Sequence, residues 1–158
     1  MLRFSAIMLA LLLTACGFTL DKPVENHMPD TLALATQQAD EFESVLQQTF
    51  KYQGILLTTN STTPPLALVI KKQQEYERYV GSSSVTLTIE VTALISNREG
   101  KTIIFPETFV KEATVQFNAN DDANKRLMIA SQRTQLFTAI AGDIYDFLAT
   151  QNLDNQSP

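Results

Sequence analysis

The chain opens on a tight apolar run and then changes its hydrophobic period from segment to segment. After Arg3 come Ile7, Met8, Leu9, Leu11, Leu12 and Leu13, an apolar segment of about ten residues with small residues behind it. That is too short for a bilayer core, which takes about 20 residues. Residues 17–30 carry Gly17, Pro23, Asn26 and Pro29, so an extended tether is predicted, with Phe18 and Leu20 able to pack on the domain. Leu32 and Leu34 alternate within residues 31–36 and predict a short strand. Over residues 40–53 the period lengthens: Phe42, Val45, Leu46, Thr49 and Phe50 fall at i, i+3, i+4, i+7 and i+8, the stripe of an amphipathic helix. Asp40 and Glu43 have the spacing of a capping box, and Gly54 suits the left-handed position after the last turn. Residues 55–57 lead out as a short strand or edge segment, and 58–65 read as a loop of Thr, Ser, Asn and Pro.

Residues 66–70 are apolar throughout, as an interior strand covered on both sides would be. Lys71, Lys72, Glu75, Glu77 and Arg78 come next, interleaved with Tyr76 and Tyr79, and suggest that this strand runs out into solvent before a turn at residues 81–84. The cleanest alternation is in residues 85–93, where Val85, Leu87, Ile89 and Val91 oppose Thr86, Thr88, Glu90 and Thr92. A hairpin turn at residues 97–100 returns the chain through 101–105 to Pro106, which implies a bulge or an edge. Residues 108–118 alternate again, with Phe109, Ala113, Val115 and Phe117 on one side and Lys111 among them. Lys111 has two readings: a packed stem with a snorkelling amine, or a ligand contact. A second helix is predicted over residues 123–150, capped from 118–122, with Leu127, Ala130, Phe137, Ile140, Ala141, Ile144, Phe147 and Leu148 as its stripe. Gly142 inside it suggests a close approach to the sheet. Residues 151–158 are polar and read as a disordered tail.

Strand, helix, strands, helix is an α+β order. Neither one-sided helix can stand alone, so both are expected on one face of a roughly four-stranded, mostly antiparallel or mixed sheet. The row Thr86, Thr88, Glu90, Thr92 would then lie on the uncovered face. The predicted organisation is a signal peptide at 1–15, a tether at 16–30, one domain at 31–150 and the tail. Without the leader about 143 of the 158 residues remain, enough for one core.

The only cysteine, Cys16, closes Leu13-Thr14-Ala15-Cys16. This is the lipobox arrangement, in which the thiol takes a diacylglycerol and the freed amine a third acyl chain. The other reading is a plain secretory leader followed by a free cysteine, an unusual thiol to export. Two or more chains anchor a protein stably without a span. Gly17 stands where Asp would favour inner-membrane retention, which points to the outer membrane and its periplasmic face. The tether limits reach to about 50 Å.

The formal net charge is −5, and loss of Arg3 with the leader makes it one unit more negative. So acidic a chain is a poor nucleic-acid binder, and an anionic ligand would need a local basic patch. Catalytic chemistry is hard to assemble. His27 is the only histidine and falls in the tether, the thiol is committed, and residues 81–84 lack the second glycine of a nucleophile elbow. Asp121 and Asp122 read as caps and dipole partners, and Asp143 and Asp146 as a solvated helix face. No catalytic residue, metal ligand or cofactor is assigned beyond the acyl groups on Cys16. Lys71, Lys72, Arg78, Lys111, Lys125 and Arg126 are the useful signal. Either they converge at one end of the sheet to meet a phosphorylated amphiphile, or they are scattered solubilising charge.

Cys16-Gly17-Phe18-Thr19-Leu20, the proline-marked Pro29, the strand and helix ending near Gly54-Ile55, the alternating hairpin turning at Gly100 and the last helix together resemble the lipopolysaccharide-assembly lipoprotein LptE family. The resemblance spans about residues 16–150. It implies two helices on a four-stranded sheet, residence as a plug in the lumen of the outer-membrane barrel LptD, assistance in that barrel's assembly, and binding of lipopolysaccharide. By position it implies Arg78, Lys111, Lys125 and Arg126 as candidates for lipopolysaccharide phosphates. Two other readings fit the anchored domain: an auxiliary lipoprotein of an ABC-type lipid transporter, and a periplasmic hydrolase. The anchor is directly testable. Mass spectrometry of the mature N-terminal peptide is expected to find acylated Cys16, and Cys16→Ala to leave the leader uncleaved; an unmodified thiol would overturn the lipobox reading.

Overall fold

In the computed structural model, residues 28–36, 40–59, 64–151 and 153 are described. The leader, Cys16 and most of the tether lie outside them. The strands are β1 (Thr31–Ala35), β2 (Leu56–Thr58), β3 (Leu66–Tyr79), β4 (Ser84–Asn97) and β5 (Thr102–Gln116); the helices are α1 (Glu41–Tyr52) and α2 (Asp122–Ala149). The strands form one sheet in the order β2-β1-β3-β4-β5. β1 lies parallel to both β2 and β3, and β3, β4 and β5 form an antiparallel meander. The fold is α+β, as expected, with five strands instead of about four, because the segment after Gly54 pairs as β2.

Local chemistry sets the element ends. The Glu43 amide donates to Asp40 Oδ1 (3.2 Å) at the start of α1, and Gly54 comes after that helix at φ 84°. Asp121 caps α2 by accepting from the Asn124 amide (3.0 Å), so this acid is a cap. In the β4–β5 hairpin the Asn97 side chain accepts from the Glu99 and Lys101 amides, and Gly100 takes φ 78°.

Both helices cover the same sheet face. Leu32, Leu34, Leu66, Leu68, Ile70, Val85, Leu87, Ile89, Val91 and Ile95 are buried against Phe42, Leu46, Phe50, Phe137, Ile140, Ile144 and Leu148. Burying each of the large side chains contributes about 1.5–3 kcal/mol. Phe42 meets Phe137 with ring centroids 5.3 Å apart, and Phe50 meets Tyr145 edge-on at 5.6 Å. The packing corrects three expectations. β3 is not covered on both sides: Leu66, Leu68 and Ile70 are buried, whereas Ala67 and Val69 face the open side half-exposed. The stripe of α2 runs through Ile129 and Leu136, and Leu127 is 72% exposed because it lies off that line. Leu153, inside the stretch read as a tail, is fully buried in the core.

The meander strands are far longer than α1. Fourteen residues of strand reach about 48 Å and the 28 residues of α2 about 42 Å, against about 18 Å for the 12 residues of α1. Gln73 Nε2 donates to Asp40 Oδ2 (2.6 Å), so α1 begins at the level of Gln73. Beyond it, toward the Val80–Ser84 turn, α2 is the covering element.

Gly142 does not mark a close approach, since a Cβ built there meets nothing within 4 Å. Gly142→Ala is therefore expected to raise stability by about 0.4–1 kcal/mol, read as a higher thermal midpoint; a lower midpoint would reveal a packing constraint at this turn.

Candidate binding groove at the far end of the sheet

A single irregularity in β3 decides which of its side chains share a face. The register with β4 shifts between Ile70 and Lys72. Before the shift even-numbered residues face the helices. After it, Gln73, Glu75, Glu77 and Tyr79 lie opposite Val91, Ile89, Leu87 and Val85 on the helix side, and Lys72, Gln74, Tyr76 and Arg78 turn to the open face.

The open face beyond the bulge satisfies itself. Lys72 Nζ meets Glu90 Oε1 at 2.7 Å, Thr92 pairs with Thr108, Thr86 with Thr114, and Thr88 donates to Glu112. The Glu90 hydrogen bond raises the Lys72 ammonium above its ordinary 10.5. With the folded value raised, the contribution of the Lys72 ammonium is fully present below its unfolded value and is lost as pH rises through the elevated one. The predicted Thr-rich row lies on this uncovered side.

The helix side beyond Gln73 carries a groove of about 390 Å³ lined by Glu77, Tyr79, Asp122, Lys125, Arg126, Ile129 and Arg133. Arg133 reaches across from α2 to Glu75 (2.7 Å) and Glu77 (3.5 Å) and holds the arm of β3 against the helix. Lys125 places its amine 4.6 Å from the Tyr79 ring centroid and 5.0 Å from that of Phe117, so two aromatic faces orient the cation. No carboxylate among the described residues pairs with Lys125 or Arg126, and both sit in the first turns of α2, where the helix dipole adds positive potential. Such a site suits an anion flanked by apolar surface.

The six basic residues do not form one patch. Lys125 and Arg126 share the groove. Arg78 is on the opposite face because of the bulge, as is Lys72. Lys111 faces the helices and its Nζ binds Asp143 Oδ2 at 2.7 Å, both side chains staying partly exposed, which fits a packed stem whose amine reaches the surface. Sequence reasoning missed Arg133, Tyr79 and Phe117. A signal for Arg133 existed: it interrupts the α2 stripe between Ile129 and Phe137, while Glu75 and Glu77 recur at period two. Among the described residues, no group of three or more His, Cys, Asp or Glu side chains could hold a metal ion, and no helix is long and apolar enough to cross a membrane.

Solved structures similar to this fold include lipoproteins. The fold is similar to a minor lipoprotein from Acinetobacter baumannii (TM-score 0.67, 18% identity, 83% of this chain and 96% of that one). It is also similar to the rare lipoprotein B from Shewanella oneidensis (0.62, 9%, 80% and 98%) and to an uncharacterized lipoprotein B from Nitrosomonas europaea (0.55, 12%, 79% and 87%). The chain shares their fold. No protein-family profile and no curated protein matches it.

Arg133→Ala should lower stability by about 1 kcal/mol or less, and the loss should shrink as salt rises, because the pairs with Glu75 and Glu77 are partly exposed. An equal loss in denaturant melts at low and high salt would assign the effect to packing of the arginine stem instead.

Proposed function

We propose that this chain is an outer-membrane lipoprotein, anchored through acylated Cys16 on the periplasmic face, that plugs and helps assemble an LptD-type barrel and helps deliver lipopolysaccharide to the outer leaflet. The observation that carries the ligand half of this reading is the groove in which Lys125 and Arg126 form no ion pair among the described residues, although Asp122 and Glu77 share its lining. A phosphate is met there by two cations and the helix dipole, and the exposed ring of Tyr79 offers apolar surface to the rest of an amphiphile. The leader ending at Cys16, the LptE-like order of elements and the fold shared with lipoproteins support the remainder.

The ligand set is weighted by geometry. Lys125 and Arg126 are its centre. A phosphate reaching Lys111 would have to displace Asp143 at 2.7 Å, and Arg78 would meet a ligand only on the open face. The role assigned is to hold and shape a partner and its lipid cargo, which requires no bond-making step from this chain.

Two measurements test this. Purification of the tagged chain from outer membranes is expected to bring a barrel of LptD size with it; an inner-membrane transporter partner in its place would favour the auxiliary-lipoprotein reading. Lys125→Glu with Arg126→Glu is expected to weaken lipopolysaccharide binding by about tenfold or more, with a strong salt dependence in the parent protein. Binding unchanged by the double reversal would sink the groove as the ligand site.

A further inference from the structure

β5 is the outer strand of the sheet, and its protection is uneven. In an antiparallel ladder the N–H and C=O of alternate residues face the same neighbour. The Phe117 amide donates to Ser83 O at 2.8 Å, and the register from Thr108 to Gln116 is unbroken. Phe109, Lys111, Ala113 and Val115 therefore bond β4, and Val110, Glu112, Thr114 and Gln116 present their backbone groups outward. Among the described residues no strand or side chain takes those groups.

Native sheets blunt such edges with prolines, bulges and inward-pointing charge. β5 has all three in its first part: Pro106, the register irregularities opposite Ala93–Ser96, and Lys111 turned inward onto Asp143. From Glu112 onward it has none. There the edge adjoins a groove of about 590 Å³ between Thr114, Val115 and Gln116 and the α2 residues Leu127, Met128, Ser131, Gln132 and Gln135. Leu127 is 72% and Met128 39% exposed. No lining residue of this groove is ionisable, in contrast to the charged groove on the other side of α2.

We propose that the edge of β5 from Val110 to Gln116 accepts an extended segment of a partner protein as a sixth strand. Its occupant has uncharged side chains, with apolar ones at alternate positions. Main-chain bonds to Glu112, Thr114 and Gln116 supply affinity, and the alternate side chains enter the groove against Leu127 and Met128. The neutral lining selects against charge, since a charged side chain there would lose water and gain no counter-charge. About five residues of strand, roughly 17 Å, cover the unprotected stretch. The inference rests on the reading of this chain as a partner-holding module, and not on the identity of the barrel.

The test uses the full acylated chain in detergent and a fluorescent seven-residue peptide alternating Val with Thr and Gln. A second peptide with Lys in place of Val is the charge control. Saturable binding of the first peptide is expected, with slowed amide exchange at Val110, Glu112, Thr114 and Gln116, and at least about tenfold weaker binding of the second. Thr114→Pro removes one outward N–H without touching the β4 ladder, and Leu127→Gln with Met128→Gln changes only exposed side chains. Each should weaken binding by about tenfold, the Leu127 and Met128 change at an unchanged thermal midpoint and Thr114→Pro at a somewhat lower one, since it also gives up the hydroxyl bond to Thr86. No saturable binding, binding indifferent to Thr114→Pro, or equal binding of both peptides would overturn the proposal. So would a homodimer by light scattering that Thr114→Pro dissolves, because the occupant would then be a second copy. Peptide binding is measured whether or not a barrel co-purifies, so failure here is distinct from failure of the functional reading.

Discussion

Covering only one face of a sheet whose strands outrun α1 is the constraint on which the rest of this protein depends. Phe42, Phe50 and Phe137 have to be buried together, and they can be buried only where α1 and α2 lie side by side on β1, β3 and β4. That fixes the near half of the molecule as a conventional two-layer core. It also obliges the far half to manage with one helix. Every polar feature of interest stems from that shortage of cover: the Arg133 bridge to Glu75 and Glu77, the cation held between Tyr79 and Phe117, and the two grooves flanking the first half of α2.

The bulge between Ile70 and Lys72 is the device that reconciles the two halves. Without it the alternation set by Leu66, Leu68 and Ile70 would carry Lys72, Gln74, Tyr76 and Arg78 under α2, and Glu75 and Glu77 outward. With it, acids face Arg133 and the basic members of the arm face solvent. The same step separates Arg78 from Lys125 and divides the basic residues between two faces. The two sides of α2 consequently differ in chemistry: a charged groove beside β3 and a neutral one beside the β5 edge.

Much of the fold was legible in the residues. Phe42, Val45, Leu46 and Phe50 recur at helical spacing between a capping Asp40 and Gly54, and that segment is α1. Val85 to Val91 alternates, and that segment is the central part of β4. Other features were not legible because the sequence pattern is silent on their cause. Leu127 has the right character for a stripe but the wrong angle, and only packing shows that Ile129 and Leu136 take its place. The role of Lys111 depends on Asp143, 32 positions away in sequence and supplied by a different element.

The sequence by itself determined the element types, their order, the one-sided helices and the polar character of the uncovered face, because these arise from periodicity and from capping and turn chemistry that act within a few residues. It also carries its only cysteine, Cys16, just behind a short apolar run. The tertiary structure alone decided which charges meet, which face Arg78 occupies, that β2 joins as a fifth strand and where the sheet edge is left unprotected. Those outcomes depend on register and strand order, and a shift of one residue in a ladder of period two exchanges the faces of every side chain beyond it.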